Sequence, residues 1–133
     1  MERRIASVTL LVDDHEVAVD YFVGTLGFEL VSDTPRDGGD RWVVVAPKGG
    51  GTGIRLAFAR DERQRQVIGA QAGGRVFVVM YTDDLDRDYR AFMERGITFL
   101  EPPRKEPYGA IAVFADMFGN RWDLIQPSNR LVQ

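Results

Sequence analysis

The chain has 133 residues, of which 44% are hydrophobic and 28% are charged, and its net charge at pH 7 is -3. This composition is that of an ordinary globular protein, and the length is sufficient for one compact domain with a sizeable core. Seventeen basic residues are offset by 20 acidic ones without a long basic run, which argues against nucleic acid as a partner. No segment approaches the length of an apolar membrane span, so we expect no membrane association and a cytoplasmic location.

The scarcity of cysteine and histidine excludes several kinds of chemistry. The chain has no cysteine, which removes disulfides, thiol catalysis and thiolate metal sites. Its one histidine is His15, so a mechanism that needs two imidazoles within one chain is excluded. His15 directly follows Asp13 and Asp14 on the first turn of a predicted helix, where we expect it to be exposed to solvent.

The first half of the chain predicts a strand, a helix and three further strands. Asp13 and Asp14 are good N-terminal caps, and Gly27 suits the left-handed residue that follows a helix. One face of this helix is predicted to carry residues at helical spacing: Ala18, Tyr21, Phe22, Thr25 and Leu26. A hairpin follows, with strands at 42–45 and 54–58 around a glycine-rich loop.

The second half repeats this plan. The interval from Asp13 to Asp83 equals that from Phe22 to Phe92, whereas the interval from Gly27 to Gly96 is shorter by a single position. We therefore predict an α+β fold of two βαβββ modules, about 1–60 and 75–133, in a single domain. Residues 61–74 have no strand periodicity and are predicted to link the modules.

Side-chain alternation predicts which sheet faces carry charge. One helix can cover only one face of a four-stranded sheet, so the other face is expected to form a concave cavity. Alternation on the strands places Ser7 on the concave side of the first strand and Phe77 on that of its counterpart. On the last strand of each module the same alternation places Arg55, Arg121 and Asp123 in the concavity.

Several stretches of the sequence resemble the vicinal oxygen chelate superfamily, which includes glyoxalase I, bleomycin-resistance proteins and extradiol dioxygenases. The stretches that carry the resemblance are Val12-Asp13-Asp14 before the first helix, Leu26-Gly27-Phe28 after it, and the run from Asp116 to Leu124. Together with the paired βαβββ plan, the resemblance covers nearly the whole chain. The resemblance implies curled mixed sheets around a cavity. Proteins with this scaffold carry out many different activities.

The resemblance also indicates where metal ligands would lie. In metal-dependent members the ligands are His, Gln and Glu, and the corresponding positions here hold Ser7, Arg55, Phe77 and Asp123. A phenyl ring cannot ligate a metal, and a guanidinium brings a permanent positive charge. We therefore predict no metal site and no cofactor. We also predict that Arg55 and Asp123 form an ion pair where other members would hold a metal.

Two aromatic residues complete the predicted ligand-binding set. Tyr108 follows a proline-rich stretch on a loop that borders the cavity in this fold, and it either covers the cavity or packs on proline. Trp42 lies in a hairpin strand, where core packing is the default and stacking on a planar ligand is the alternative.

Two functions of different class remain open. The first is metal-independent binding of a small organic ligand, such as a planar or aromatic compound, in the manner of bleomycin-resistance proteins. The second is a glyoxalase-like lyase or isomerase, or a dioxygenase, that uses a divalent metal. The resemblance further implies a homodimer with cavities at the interface.

Overall fold

The computed structural model describes residues 2–128. The chain divides into two compact units, Met1–Ile68 and Gly69–Gln133. Each unit contains one four-stranded mixed sheet and at least one helix, so the predicted α+β fold of two βαβββ modules is confirmed. Within residues 2–128, every helix is too short or too polar to cross a lipid bilayer.

The first unit, called unit 1 below, has its strands in the spatial order β1-β4-β3-β2. Strands β1 and β4 are parallel, and the other neighbours are antiparallel. The elements of unit 1 are β1 (Ser7–Val12), α1 (His15–Val19), a π-helical segment (Asp20–Thr25), β2 (Glu29–Pro35), a 3₁₀ turn (Asp37–Gly39), β3 (Arg41–Ala46), β4 (Gly53–Phe58) and α2 (Glu62–Arg65).

The second unit, called unit 2 below, has the same topology, with strand order β5-β8-β7-β6. Strands β5 and β8 are parallel, and the remaining pairs are antiparallel. The elements of unit 2 are β5 (Val76–Tyr81), α3 (Leu85–Glu94), β6 (Thr98–Glu106), β7 (Gly109–Ala115) and β8 (Arg121–Pro127).

The predicted aspartate caps are present at both main helices. The Asp14 carboxylate accepts a hydrogen bond from the Val17 backbone N–H, and the Asp84 carboxylate accepts one from the Arg87 N–H. Each bond satisfies a backbone donor that has no partner inside the helix, and each carboxylate lies at the positive end of the helix dipole. This local chemistry explains why both helices begin at the predicted places.

The first helix differs from the predicted regular α-helix, because it widens into a π-helix over Asp20–Thr25. At its end the Phe28 N–H donates to the carbonyl of Phe22, six residues back, at 2.8 Å. In unit 2 the corresponding bond joins Ile97 to Phe92, only five residues back, at 3.0 Å. Unit 1 therefore holds one additional residue in its helix, which explains why the repeat interval is shorter at the glycines than at the aspartates.

The sheet of unit 1 has a buried face toward its helix and an opposite face, called the open face. Leu10 and Val12 on β1 are fully buried, as is Leu56 on β4. On the open face, Thr9 lies across from Arg55 in the parallel register. The predicted alternation therefore holds in unit 1, except that Val8 at the start of β1 is 41% exposed.

The predicted alternation is interrupted in unit 2. The register between β5 and β8 slips between Val76 and Val78, so Phe77 is an extra residue with no direct partner. Such a bulge changes the direction of the side chains on either side of it. Beyond the bulge, Val79 lies across from Asp123 in regular parallel register.

Candidate functional site

Arg55 and Trp42 are in direct contact on the open face of unit 1. The guanidinium carbon of Arg55, on β4, lies 4.4 Å from the centroid of the Trp42 ring on β3. Arg36, which directly follows β2, places its guanidinium carbon 4.7 Å from the same ring. Strand β3 lies between β2 and β4, so the indole receives one cation from β4 and one from the residue that follows β2. Attraction between a cation and an aromatic face stabilises both contacts.

Arg55 has no anionic partner within residues 2–68, the described part of unit 1. Its Nε is buried and makes no hydrogen bond. Its terminal nitrogens also lack a hydrogen-bond partner in this part of the chain, and they are not buried. A guanidinium carries five donors, and a buried donor without an acceptor is unfavourable. The side chain is therefore held by its contact with Trp42, while its terminal donors remain available.

A cavity of about 260 Å³ lies beside Arg55. Thr9, Leu11 and Arg55 line it together with Asp40 and Arg60. Arg60 donates to the Asp40 carboxylate at 2.8 Å. The Arg41 backbone N–H, followed by the charges of Arg60 and Arg55, lowers the pKa of Asp40 below its usual value. Two guanidiniums therefore face one ionised carboxylate, and the cavity wall carries a net positive charge.

A larger depression of about 780 Å³ shares Asp40, Phe58 and Arg60 with this cavity. His15 borders it, with its ring centroid 6.2 Å from that of Phe58. The expectation of a fully solvated His15 is wrong, because its ring is half-buried and its Nε2 contacts the Leu56 carbonyl at 3.2 Å. No three His, Asp or Glu side chains within residues 2–128 are grouped so that they could hold a metal ion.

Asp123 is the counterpart of Arg55 in unit 2. Asp123 lies across from Val79, and Arg55 lies across from Thr9. Val79 corresponds to Thr9 in the repeat. These two residues are separated by the same number of positions as the two aspartate pairs that cap the helices. The repeat therefore places opposite charges at equivalent positions of the two sheets. The predicted ion pair between Arg55 and Asp123 joins the two units and stays a prediction.

The Asp123 carboxylate is half-buried and has no hydrogen bond or ion pair within residues 69–128, the described part of unit 2. It lies next to a buried apolar cluster formed by Ile111, Val113 and Ile125. Burial raises the pKa of Asp123, although the charges of Arg121 and Arg104 oppose this shift. Folding therefore disfavours the charged form of Asp123. The resulting loss of stability is absent at pH values below the ordinary pKa of the carboxyl, and it is fully present at pH values above the raised pKa.

Arg121 and Tyr108 occupy different environments in unit 2. Arg121 donates from Nη2 to the Glu101 carboxylate at 3.1 Å, while its Nε is buried without a partner. Arg104 pairs with the same carboxylate. Tyr108 lies between β6 and β7 and is 37% exposed, and its carbonyl accepts the Ser128 N–H. Both side chains retain surface that a ligand can reach.

The two remaining predicted positions do not add strong metal donors. Ser7 is half-buried at the start of β1, across from Gly53. The Phe77 ring lies 6.3 Å from the ring of Trp122, which is itself buried in the core of unit 2. Among the four positions that correspond to family ligands, Asp123 alone is therefore an anionic donor.

Three charged residues near the site were not predicted from the sequence: Arg36, Asp40 and Arg60. Arg36 and Asp40 flank the glycine-containing 3₁₀ turn, and Arg60 lies just before α2. None of them belongs to a periodic pattern, so the sequence contains no signal for their roles. Their positions follow from chain turns that bring them to the edge of the open face.

Comparisons with known proteins agree with this architecture. The model of the Glyoxalase/Bleomycin resistance protein/Dioxygenase superfamily matches residues 4–124. An uncharacterized protein from Shewanella frigidimarina is 44% identical over 132 residues, which cover 98% of each chain. The solved structure of UcmS2 is 29% identical, with a TM-score of 0.81, over 94% of this chain and 98% of that one. TnmS3, described as an antibiotic binding protein from Streptomyces sp. CB03234, is 33% identical, with a TM-score of 0.77, over 96% and 98% of the two chains.

Proposed function

Because the chain belongs to the Glyoxalase/Bleomycin resistance protein/Dioxygenase superfamily, we propose that it binds a small organic ligand without a metal ion. The observation that carries this proposal is the Arg55 guanidinium, which lies beside a cavity and has no anionic partner within residues 2–68. The resemblance to the family implies that it stands where metal-dependent members would hold a metal ligand. The similarity to the antibiotic binding protein TnmS3 supports the same class of function.

The chemistry of the side chains argues against a divalent metal at this position. A guanidinium has no lone pair to offer and repels a cation, and the Phe77 ring has no donor atom. Ser7 is at most a weak neutral ligand. The proposed ligand-binding residues are those predicted from the sequence: Ser7, Trp42, Arg55, Phe77, Tyr108, Arg121 and Asp123.

A metal-dependent lyase, isomerase or dioxygenase is the competing function, and the partnerless carboxylate of Asp123 is the feature that favours it. Metal analysis of protein purified without chelators separates the two functions. We expect less than stoichiometric metal, and no change in the thermal unfolding midpoint when EDTA is added. One tightly bound Ni, Zn, Mn or Fe ion per chain would contradict metal-independent binding.

A ligand screen tests the binding function directly. Planar aromatic compounds, antibiotics and 2-oxo compounds are added to the full chain, and the thermal unfolding midpoint is recorded at several concentrations. A ligand of the folded state is expected to raise the midpoint progressively as its concentration increases. If no compound raises the midpoint in this way, the proposed function is wrong.

We further propose that two chains associate as a homodimer, since most soluble oligomers are closed by twofold symmetry. The chain mass is 15.0 kDa. Light scattering at micromolar protein concentration is therefore expected to give a mass of about 30 kDa, the value for two chains. A mass corresponding to one chain under these conditions would contradict the homodimer.

A further inference from the structure

We propose that the ligand of unit 1 is a small planar aromatic compound that carries an anionic oxygen, which Arg55 binds while Trp42 positions the guanidinium. This inference rests on the proposed ligand-binding function and names the class of compound that unit 1 takes. It is carried by residues of unit 1 alone.

The charges around the cavity indicate an anion. Arg60 is already paired with Asp40 at 2.8 Å, so these two side chains largely neutralise each other. Arg55 faces the same cavity without an anionic partner among the described residues of unit 1. A half-buried cation that lacks a counterion favours a ligand that supplies one.

The contact with Trp42 determines how this anion is bound. The guanidinium is planar, and its N–H groups lie in that plane, where they match the two oxygens of a carboxylate. Because the Arg55 guanidinium lies 4.4 Å from the indole centroid, Trp42 restricts where it can move. The exposed terminal nitrogens of Arg55 are then held toward the cavity. Trp42 is therefore a positioning residue for Arg55.

The stacking role considered for Trp42 from the sequence is restricted by two neighbours. Arg36 and Arg55 both lie over its ring, at 4.7 and 4.4 Å from the centroid, so little of the indole face is left for a ligand. The ring of a planar ligand can instead lie against the apolar side chains of Leu11 and Ala57, which line the cavity beside Arg55.

The size and lining of the cavity indicate a small ring system. Its volume of about 260 Å³ is below the range of about 300 to 1,000 Å³ that is usual for drug-sized ligands. Leu11 and Ala57 supply apolar surface beside Arg55, and Thr9 supplies a hydroxyl. One or two fused rings with a single acidic group satisfy these requirements.

Isothermal titration calorimetry of the full chain with 2-naphthoate and 2-naphthamide tests this inference, because the two probes differ mainly in charge. We expect 2-naphthoate to bind at least about tenfold more tightly, because a hydrogen bond between two charged groups is stronger than one to a neutral amide. Arg55→Gln is expected to remove this preference and leave 2-naphthamide binding within about twofold. Arg55→Lys, which keeps the charge but not the planar fork, is expected to retain part of it.

Arg63→Gln is the matched control, because Arg63 is an exposed arginine on α2 that does not line the cavity. This change removes the same charge and is expected to leave both affinities unchanged. Trp42→Leu is expected to weaken 2-naphthoate binding in the natural chain. The same change is expected to have no effect on binding in the Arg55→Gln variant, because Trp42 acts on the ligand only through Arg55. Additional weakening in that variant would contradict the positioning role of Trp42.

Two outcomes overturn the anion inference without affecting the proposed function. One is equal affinity for both probes, and the other is an equal loss in Arg55→Gln and Arg63→Gln. Failure of 2-naphthoate to bind at all also overturns it. In that case the wider ligand screen decides separately whether the proposed binding function is wrong as well.

Discussion

Replacing Asp116 with alanine is expected to lower the free energy of unfolding by about 3 to 5 kcal/mol, because it removes a buried carboxylate that accepts four hydrogen bonds. Oδ1 accepts the backbone N–H groups of Phe118 and Asn120 at 3.0 and 2.9 Å. Oδ2 accepts the Asn120 side-chain amide at 3.1 Å and the Trp122 indole N–H at 3.0 Å. Alanine would leave several of these donors without an acceptor in the turn between β7 and β8.

Urea unfolding followed by tryptophan fluorescence measures this loss. Asp116→Asn keeps the shape but places an amide group against donors, so we expect an intermediate effect. Asp86→Ala is the control, because Asp86 is an exposed aspartate on α3 whose ion pair with Arg90 is also exposed. It is expected to change stability by less than about 0.5 kcal/mol. A loss below about 1 kcal/mol for Asp116→Ala would contradict the role assigned to this carboxylate.

Replacing Phe22 with alanine is expected to destabilise the chain by about 3 to 5 kcal/mol, the usual cost of truncating a fully buried phenylalanine. Phe22 is 0% exposed, and its ring contacts those of Tyr21 and Phe28 at centroid distances of 5.4 and 5.6 Å. The loss combines apolar surface returned to water with a cavity that the surrounding sheet and helix cannot fill.

Chemical unfolding with guanidinium chloride, monitored by circular dichroism, tests this second expectation. Phe22→Leu keeps most of the buried volume, and we expect it to cost less than half as much as alanine. Val23→Ala changes the next residue along the helix, which is 37% exposed, and is expected to alter stability by less than about 1 kcal/mol. Alanine favours a helix more than phenylalanine or valine does, so helix propensity cannot cause either loss. Equal losses in Phe22→Ala and Val23→Ala would contradict the role assigned to the burial of Phe22.

Local patterns were sufficient to predict much of this fold. The caps at Asp14 and Asp84 depend on side chains that bond to backbone groups three residues away, so sequence position alone determines them. The hairpin strands β3 and β4 follow from two runs rich in β-branched and aromatic residues on either side of a glycine-rich loop. The equivalence of the two units was visible because the same residue types recur at a nearly constant spacing.

Local sequence patterns could not predict contacts between residues that are far apart in the sequence. The contact of Arg36 with Trp42 depends on the path of a turn, and the half-burial of His15 depends on the Leu56 carbonyl, 41 residues away. The bulge at Phe77 depends on how β5 pairs with β8, and no single residue type encodes it. The candidate site therefore combines a predicted residue, Arg55, with neighbours that only the folded chain brings to it.

The wide turn over Asp20–Thr25 has a consequence for how this protein tolerates changes in chain length. Gly24 lies in that turn and is exposed, with no atom within 4 Å of where its Cβ would be. Deleting Gly24 would let the helix return to the regular geometry of α3 and close with the same bond spacing as unit 2. Gains and losses of one residue are thus absorbed within the helix itself. The open face that carries Arg55 is insulated from them, because the helix covers the opposite face of the sheet.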